Sequence, residues 1–169
     1  MKIYIAADHA GFSLKEELVH FLREEGYEVD DCGAYEYAVN DDYPEIVARA
    51  AKKLSSDVAA NPIREAGKES RAIIIGASGQ GEAIVANRFK GVRAVVYYGV
   101  STVQMDASGK SMDVLESTRK HNDANALSLA ARFMTPDSAK AAVKEWLETP
   151  FAGEERHLRR IQKINDVVS

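Results

Sequence analysis

Short apolar runs rich in β-branched residues alternate along the chain with segments in which apolar positions recur every three or four residues. The first pattern belongs to strands buried between layers, and the second to helices that cover them on one side. Strands are predicted at residues 2–7, 27–31, 72–75, 93–97 and 126–129. Helices are predicted at 44–54, 80–88, 100–119, 136–147 and 154–167, after a first one that starts near Ser13 and stops at Gly26. In that helix Leu14, Leu18, Phe21 and Leu22 share a face, Ser13 and Glu16 have the spacing of a capping box, and Gly26 takes the C′ position. Strand and helix in regular alternation signal βαβ units around a parallel sheet, hence an α/β protein. Two polar stretches interrupt the scheme and read as surface insertions: 55–70, with Asn61-Pro62 and Gly67, and 106–113, with Ser108-Gly109.

With 169 residues and 46% hydrophobic side chains, the chain can bury one substantial core, and one compact domain is expected. A net charge of −4 argues against a general binder of nucleic acid or anionic membrane, so any anionic ligand must be met by a local basic cluster. No apolar run approaches the roughly 20 residues of a membrane span. Met1-Lys-Ile-Tyr-Ile5 enters a strand pattern directly rather than a signal peptide. Cys32 is the one cysteine and cannot form an internal disulfide, which fits a reducing compartment. The expectation is a cytoplasmic protein without nucleic-acid or membrane partners.

In open α/β sheets, ligands bind beyond the carboxyl ends of the strands, where the winding reverses. Two loops lie at such ends: Asp8-His-Ala-Gly11 after the first strand and Gly76-Ala-Ser-Gly-Gln-Gly-Glu82 after the third. If those strands are neighbours, the loops face each other across a crevice. Three glycines within six residues let backbone amides approach an anion, either a phosphate or the oxygen of an enediolate. The same pattern also serves a tight turn with no ligand, or a dinucleotide site. That fingerprint, however, belongs after the first strand, where only Gly11 is present. Gly109-Lys-Ser111 lacks the earlier glycine of a P-loop, since Gln104 stands there. Glu82, at a helix start beside the loop, is either an ordinary first-turn carboxylate or a base placed for proton abstraction next to a carbonyl. Asp8 and His9 are either a helix cap with its neighbour or a functional pair.

Arg156 and Arg160 stand four apart on the last predicted helix, where they could grip a phosphate together or form a solvated face with Glu154 and Glu155. Arg132, after the last strand, is a further cation. His20 reads as surface, whereas His121 sits in the polar sequence His-Asn-Asp-Ala-Asn125 just before a strand. No His pair has metal-ligand spacing, so no metal is expected.

Three segments together, Asp8-His-Ala-Gly-Phe-Ser-Leu-Lys15, the glycine loop continued by Ile84-Val-Ala-Asn-Arg88, and His121-Asn-Asp-Ala-Asn125, resemble the type B ribose-5-phosphate isomerases. The wider family also takes in allose- and galactose-6-phosphate isomerases. The similarity runs from the first strand through Arg156-His-x-x-Arg160, with the two insertions as departures. It implies a three-layer, Rossmann-like, doubly wound five-stranded parallel sheet. It also implies a single sugar-phosphate isomerase domain over 1–169, whose last helix, about 154–167, carries the phosphate-binding arginines.

Many members of the family place a catalytic Cys where this chain has Gly76; another branch has Gly there and a Glu six positions on, matched here by Glu82. By that resemblance Glu82 moves a proton between C2 and C1, while Ser78 and the amides of Gly76, Ala77, Gly79, Gln80 and Gly81 hold the enediolate oxygen. His121 opens the furanose ring with help from Asp8, and Asn122 binds substrate. His9, Arg132, Arg156 and Arg160 match positions that contact substrate, chiefly its phosphate, and Tyr43 of Asp-Asp-Tyr-Pro44 matches a pocket residue.

The implied activity is ribose 5-phosphate–ribulose 5-phosphate interconversion in the pentose phosphate pathway, without a cofactor. Isomerisation of another sugar phosphate, a binding module that has lost catalysis, and a nucleotide-binding domain are the competing readings. His121 precedes its strand and so belongs at the amino end of the sheet, roughly 15 Å from the carboxyl end. A homodimer, or a tetramer, with sites shared between subunits is therefore expected.

Overall fold

The computed structural model describes residues 1–61, 69–99, 105, 109, 111 and 113–167, with the side chain of residue 165 excepted. Five parallel strands, β1 (Lys2–Ala7), β2 (Glu28–Asp31), β3 (Arg71–Gly76), β4 (Ala94–Tyr97) and β5 (Ala126–Ala130), lie in the order β2-β1-β3-β5-β4. From β1 the chain first builds outward to β2, then returns past β1 to β3 and continues to the other side. The winding thus reverses between β1 and β3, and Ala7 lies opposite Ile75 at their carboxyl ends. The parallel sheet is the one expected from the strand–helix alternation, and its double winding is the one that the family resemblance implies.

Helices cover both faces. The odd-numbered positions Ile3, Ile5, Ile73, Ile75, Leu127 and Leu129 pack under α1 (Phe12–Glu24), α4 (Val114–Asn122) and α5 (Pro136–Glu148), with Leu18, Leu22 and Trp146 fully buried. Tyr4, Ala6, Ala72 and Ile74 face the other way, against Ile46, Val47, Ala50 and Leu54 of α2 (Tyr43–Ala60) and Ala86 of α3 (Gln80–Ala86). Period-two strands with apolar residues on both faces are what a sheet between two helical layers requires. Each fully buried leucine contributes about 2 kcal/mol from area removed from water. A last helix, α6 (Glu155–Asp166), lies outside these layers. Among the described residues no helix is long and apolar enough to cross a membrane.

Several sequence expectations change. The first helix starts one residue early, with Gly11 as N-cap and no side-chain cap, so Ser13 and Glu16 form no capping box. Its stop is as expected, with Gly26 at φ +84° after the last turn. The second helix runs on to Ala60, so residues 55–60 of the first expected insertion are helical: Leu54 and the half-buried Val58 keep the apolar face going where the polar serines suggested a loop. Residues 62–68 lie outside the described residues. The expected helix 100–119 begins only at Val114, because the Asp113 carboxylate accepts the Glu116 amide at 2.9 Å and caps it there. Upstream, Met105 and Ser111 pair in an antiparallel bridge; residues 100–104, 106–108, 110 and 112 lie outside the described residues.

Candidate active site

At the reversal point the β1–α1 turn packs directly on the end of β3. A Cβ on Gly11 would stand 2.8 Å from the Ile75 carbonyl oxygen, so only glycine lets the turn approach so closely. Asp8 is 7% exposed, and its Oδ1 accepts the amides of Ala10 at 3.0 Å and Gly11 at 3.2 Å. The strand-end carboxylate therefore does organise the turn, the bland half of the sequence reading. It also bears on the crevice, because its charge helps to raise the pKa of Glu82.

The glycine loop follows β3. Gly79 lies in the left-handed region at φ +71°, and its carbonyl accepts Ser128 Oγ of β5 at 2.6 Å. A Cβ there would also press on the Leu129 carbonyl at 3.1 Å, so both conformation and space demand glycine. The loop folds back over β5, and the Arg132 amide donates to the Ala77 carbonyl at 3.1 Å, which brings Arg132 to the same edge of the crevice. Ser78 is half-buried, its Oγ accepting the Gln80 amide at a long 3.4 Å. Tyr43, at the start of α2, rests on the loop where a Cβ on Gly81 would reach its ring at 2.7 Å.

Glu82 turns back toward the start of this loop. It is 4% exposed, and a Cβ on Gly76 would lie 2.5 Å from its Oε2 and closer still to Oε1 and Cδ. The carboxylate thus occupies the space that any side chain at Gly76 would need. Burial pushes its pKa above the usual carboxylate value, Asp8 adds to the rise, and a hydrogen bond from its own backbone amide partly offsets it.

His9 shows a partner absent from the sequence reading. Its Nδ1 lies 2.6 Å from Asp41 Oδ1, and the Tyr37 ring meets the imidazole edge-on at 6.4 Å. Among the described residues, Asp8, His9 and Asp41 bring three potential metal-ligand atoms within 4.8 Å of one another. The 2.6 Å separation of His9 and Asp41 is nevertheless that of a charge-assisted hydrogen bond, closer than two ligands on one cation ordinarily stand.

The other expected site residues gather elsewhere. His121 and Asn122 end α4 and precede β5 at its amino end, whereas Glu82 follows β3 at its carboxyl end. The His121 ring stacks on His157 of α6, with centroids 4.7 Å apart and planes 15° from parallel, and its Nδ1 lies 3.1 Å from Ser117 Oγ. Asn122 is exposed, its carbonyl accepting Arg93 Nε at 3.1 Å. Arg156 and Arg160, exposed on either side of His157, travel with this second group, Arg156 pairing with Glu154 at 2.7 Å. One chain therefore brings together Asp8, His9, Tyr43, residues 76–82 and Arg132, and separately His121, Asn122, Arg156 and Arg160.

Comparison with known proteins agrees with this architecture. The model of the Ribose/Galactose Isomerase family matches residues 3–164. The chain is 34% identical to ribose-5-phosphate isomerase B of Mycolicibacterium paratuberculosis, covering 95% of this chain and 87% of the relative. It is 32% identical to ribose-5-phosphate isomerase B of Escherichia coli, covering 98% and 95%. Among solved structures it superposes on ribose-5-phosphate isomerase B of Mycoplasma genitalium with bound ribulose-5-phosphate, at a TM-score of 0.81 and 29% identity over 99% of this chain and 95% of that one. The Clostridium thermocellum enzyme gives 0.77 at 33% identity, over 99% and 97%. With its sheet order, its glycine loop after β3 and relatives along nearly its whole length, the chain belongs to the ribose/galactose isomerase family.

Proposed function

We propose that the protein interconverts ribose 5-phosphate and ribulose 5-phosphate by moving a proton between C2 and C1, with Glu82 as the base. The observation that carries this is the Glu82 carboxylate, buried beside Asp8 and folded into the space at Gly76. A carboxylate taken out of water binds a proton more strongly, and so is a better base toward the weakly acidic C–H next to a carbonyl. Glu82 removes the C2 proton of the open-chain aldose. The electron pair moves to the C1 oxygen, and the resulting enediolate is held by Ser78 and amides of residues 76–81. The same carboxyl group then returns the proton to C1 as the O2 hydroxyl proton passes to O1, which leaves the ketose.

Ring opening precedes this step and falls to His121, with Asp8 assisting. The separation of His121 from Glu82 across the sheet supports a site shared by two copies of the chain, in which His121 and Asn122 come from the partner. Because His157 ties α6 to His121, Arg156 and Arg160 arrive with that same partner, whereas His9 and Arg132 belong to the Glu82 side. The phosphate is then clamped between subunits.

Glu82→Gln should abolish ketose formation while leaving inorganic phosphate binding in place; unchanged turnover would discard the base assignment. Mixing inactive Glu82→Gln and His121→Ala proteins tests the shared site. Random reassortment gives hybrid dimers with one intact site each, so about a quarter of wild-type activity should return, and a mixture that stays inactive excludes the arrangement.

A further inference from the structure

Asp41 comes from the loop before α2, 32 residues from His9 along the chain, and lies outside helix and strand. Its side chain is only 11% exposed, and while Oδ1 holds His9 Nδ1 at 2.6 Å, Oδ2 is buried with no hydrogen-bond partner among the described residues. Sequestering half a carboxylate without a partner works against folding, and such a group calls for a reason. His9 supplies one. A carboxylate at Nδ1 accepts a hydrogen bond from that nitrogen, fixes the ring's rotation and leaves Nε2 as the nitrogen available to a ligand. Tyr37, edge-on to the imidazole and to Phe12 at 6.2 Å, bounds the ring on another side.

We infer that Asp41 is a positioning residue for substrate: by holding His9 at Nδ1 it presents Nε2 to the phosphate oxygen of the sugar phosphate. Between Asp41 and a bound phosphate the ring carries both protons, one donated to each anion, so the cation is neutralised on both sides. The Asp8 carboxylate beside the pair makes this arrangement necessary, since an uncharged imidazole flanked by two carboxylates would repel a phosphate. The inference rests on the reading of His9 as a phosphate contact. It adds a residue that never touches the substrate.

The test is Asp41→Asn, which keeps the shape and removes the charge. KM for ribose 5-phosphate and the dissociation constant for inorganic phosphate should each rise about tenfold, with kcat changing far less. Asp41→Glu should recover most of the affinity. In 15N-histidine spectra, His9 of the wild type should be protonated at Nδ1 without ligand and at both nitrogens with saturating inorganic phosphate, whereas Asp41→Asn should show mixed tautomers. Unchanged phosphate affinity, or an unchanged His9 tautomer in Asp41→Asn, overturns the inference. If the wild type fails to isomerise ribose 5-phosphate, the proposed function falls, and the phosphate titration and 15N spectra still decide the role of Asp41.

Discussion

Gly76 offers the sharpest test of how the site is built, because the three atoms nearest to a Cβ there all belong to the Glu82 carboxylate. Its φ lies outside the left-handed region, so alanine is compatible with the backbone and the effect is purely steric. An alanine Cβ would stand 2.5 Å from Glu82 Oε2 and nearer to Oε1 and Cδ. Against an ordinary contact of roughly 3.4 Å the carboxylate must retreat by about 1 Å or more. A misplacement of that size in a reacting group costs on the order of 100-fold in rate, or about 2.7 kcal/mol of barrier. Because the obstructing atoms are the end of a side chain and not backbone, the fold should lose no more than about 1–3 kcal/mol. Gly76→Ala should therefore stay folded by circular dichroism while kcat for ketose formation falls about 100-fold. The double variant Gly76→Ala/Glu82→Gln should be no slower than Glu82→Gln alone, since both changes act on the same carboxylate. A Gly76→Ala enzyme with near-normal kcat, or losses that multiply in the double variant, would refute the placement of Glu82.

Two further outcomes follow from burial and charge. Because the folded pKa of Glu82 is raised above its unfolded value, its ionisation weighs against the fold at every pH above the folded pKa and has no effect below the unfolded one. Glu82→Gln should thus have a higher Tm than wild type at neutral pH, with the gap closing as pH falls toward about 4, and a gap that widens on acidification would contradict this sign. By the same shift, the acid limb of the wild-type kcat/KM profile should lie above the ordinary glutamate range. At the amino end of the sheet, Arg71 is 2% exposed, donates to the Trp146 and Leu147 carbonyls at 2.8 and 2.9 Å, and pairs with Glu69 at 2.8 Å. Arg71→Ala would strip these buried acceptors of their donor and should destabilise by about 3–5 kcal/mol in urea unfolding; a loss below about 1 kcal/mol would mean that the cluster relaxes freely.

The central strands β1, β3 and β5 were legible from local pattern because each is short, apolar on both faces and bounded by polar turns, which is what a two-sided parallel sheet asks of a sequence. Gly26 as a helix stop was legible for a similar local reason. The capping box at Ser13 failed because Gly11, pressed against Ile75, had already set the helix start through a contact 64 positions away in the chain. Residues 55–60 were misread because Ser55, Ser56 and Asp57 look like a loop. Their helix is held by tertiary bonds, Ser55 to the Lys90 carbonyl at 2.8 Å and Asp57 to Tyr4 at 2.7 Å.

In the site, the sequence could propose Glu82, Asp8 and His9 because glycines and charges at strand ends carry their own signal. It had no means of pairing Asp41 with His9, and no signal but an extra aspartate before Tyr43-Pro44. Nor could it tell that His157 would stack on His121 and carry two arginines with it. By itself, then, the sequence determined the α/β alternation, the strand positions and the glycine loop with Glu82 at its end, all of which depend on residues close together along the chain. Tertiary structure alone decided that β1 and β3 are neighbours, that the Glu82 carboxylate takes the space at Gly76, and that Asp41 reaches His9. Those facts depend on the return path of the backbone and on which side chain reaches a shared volume first, which no local pattern encodes.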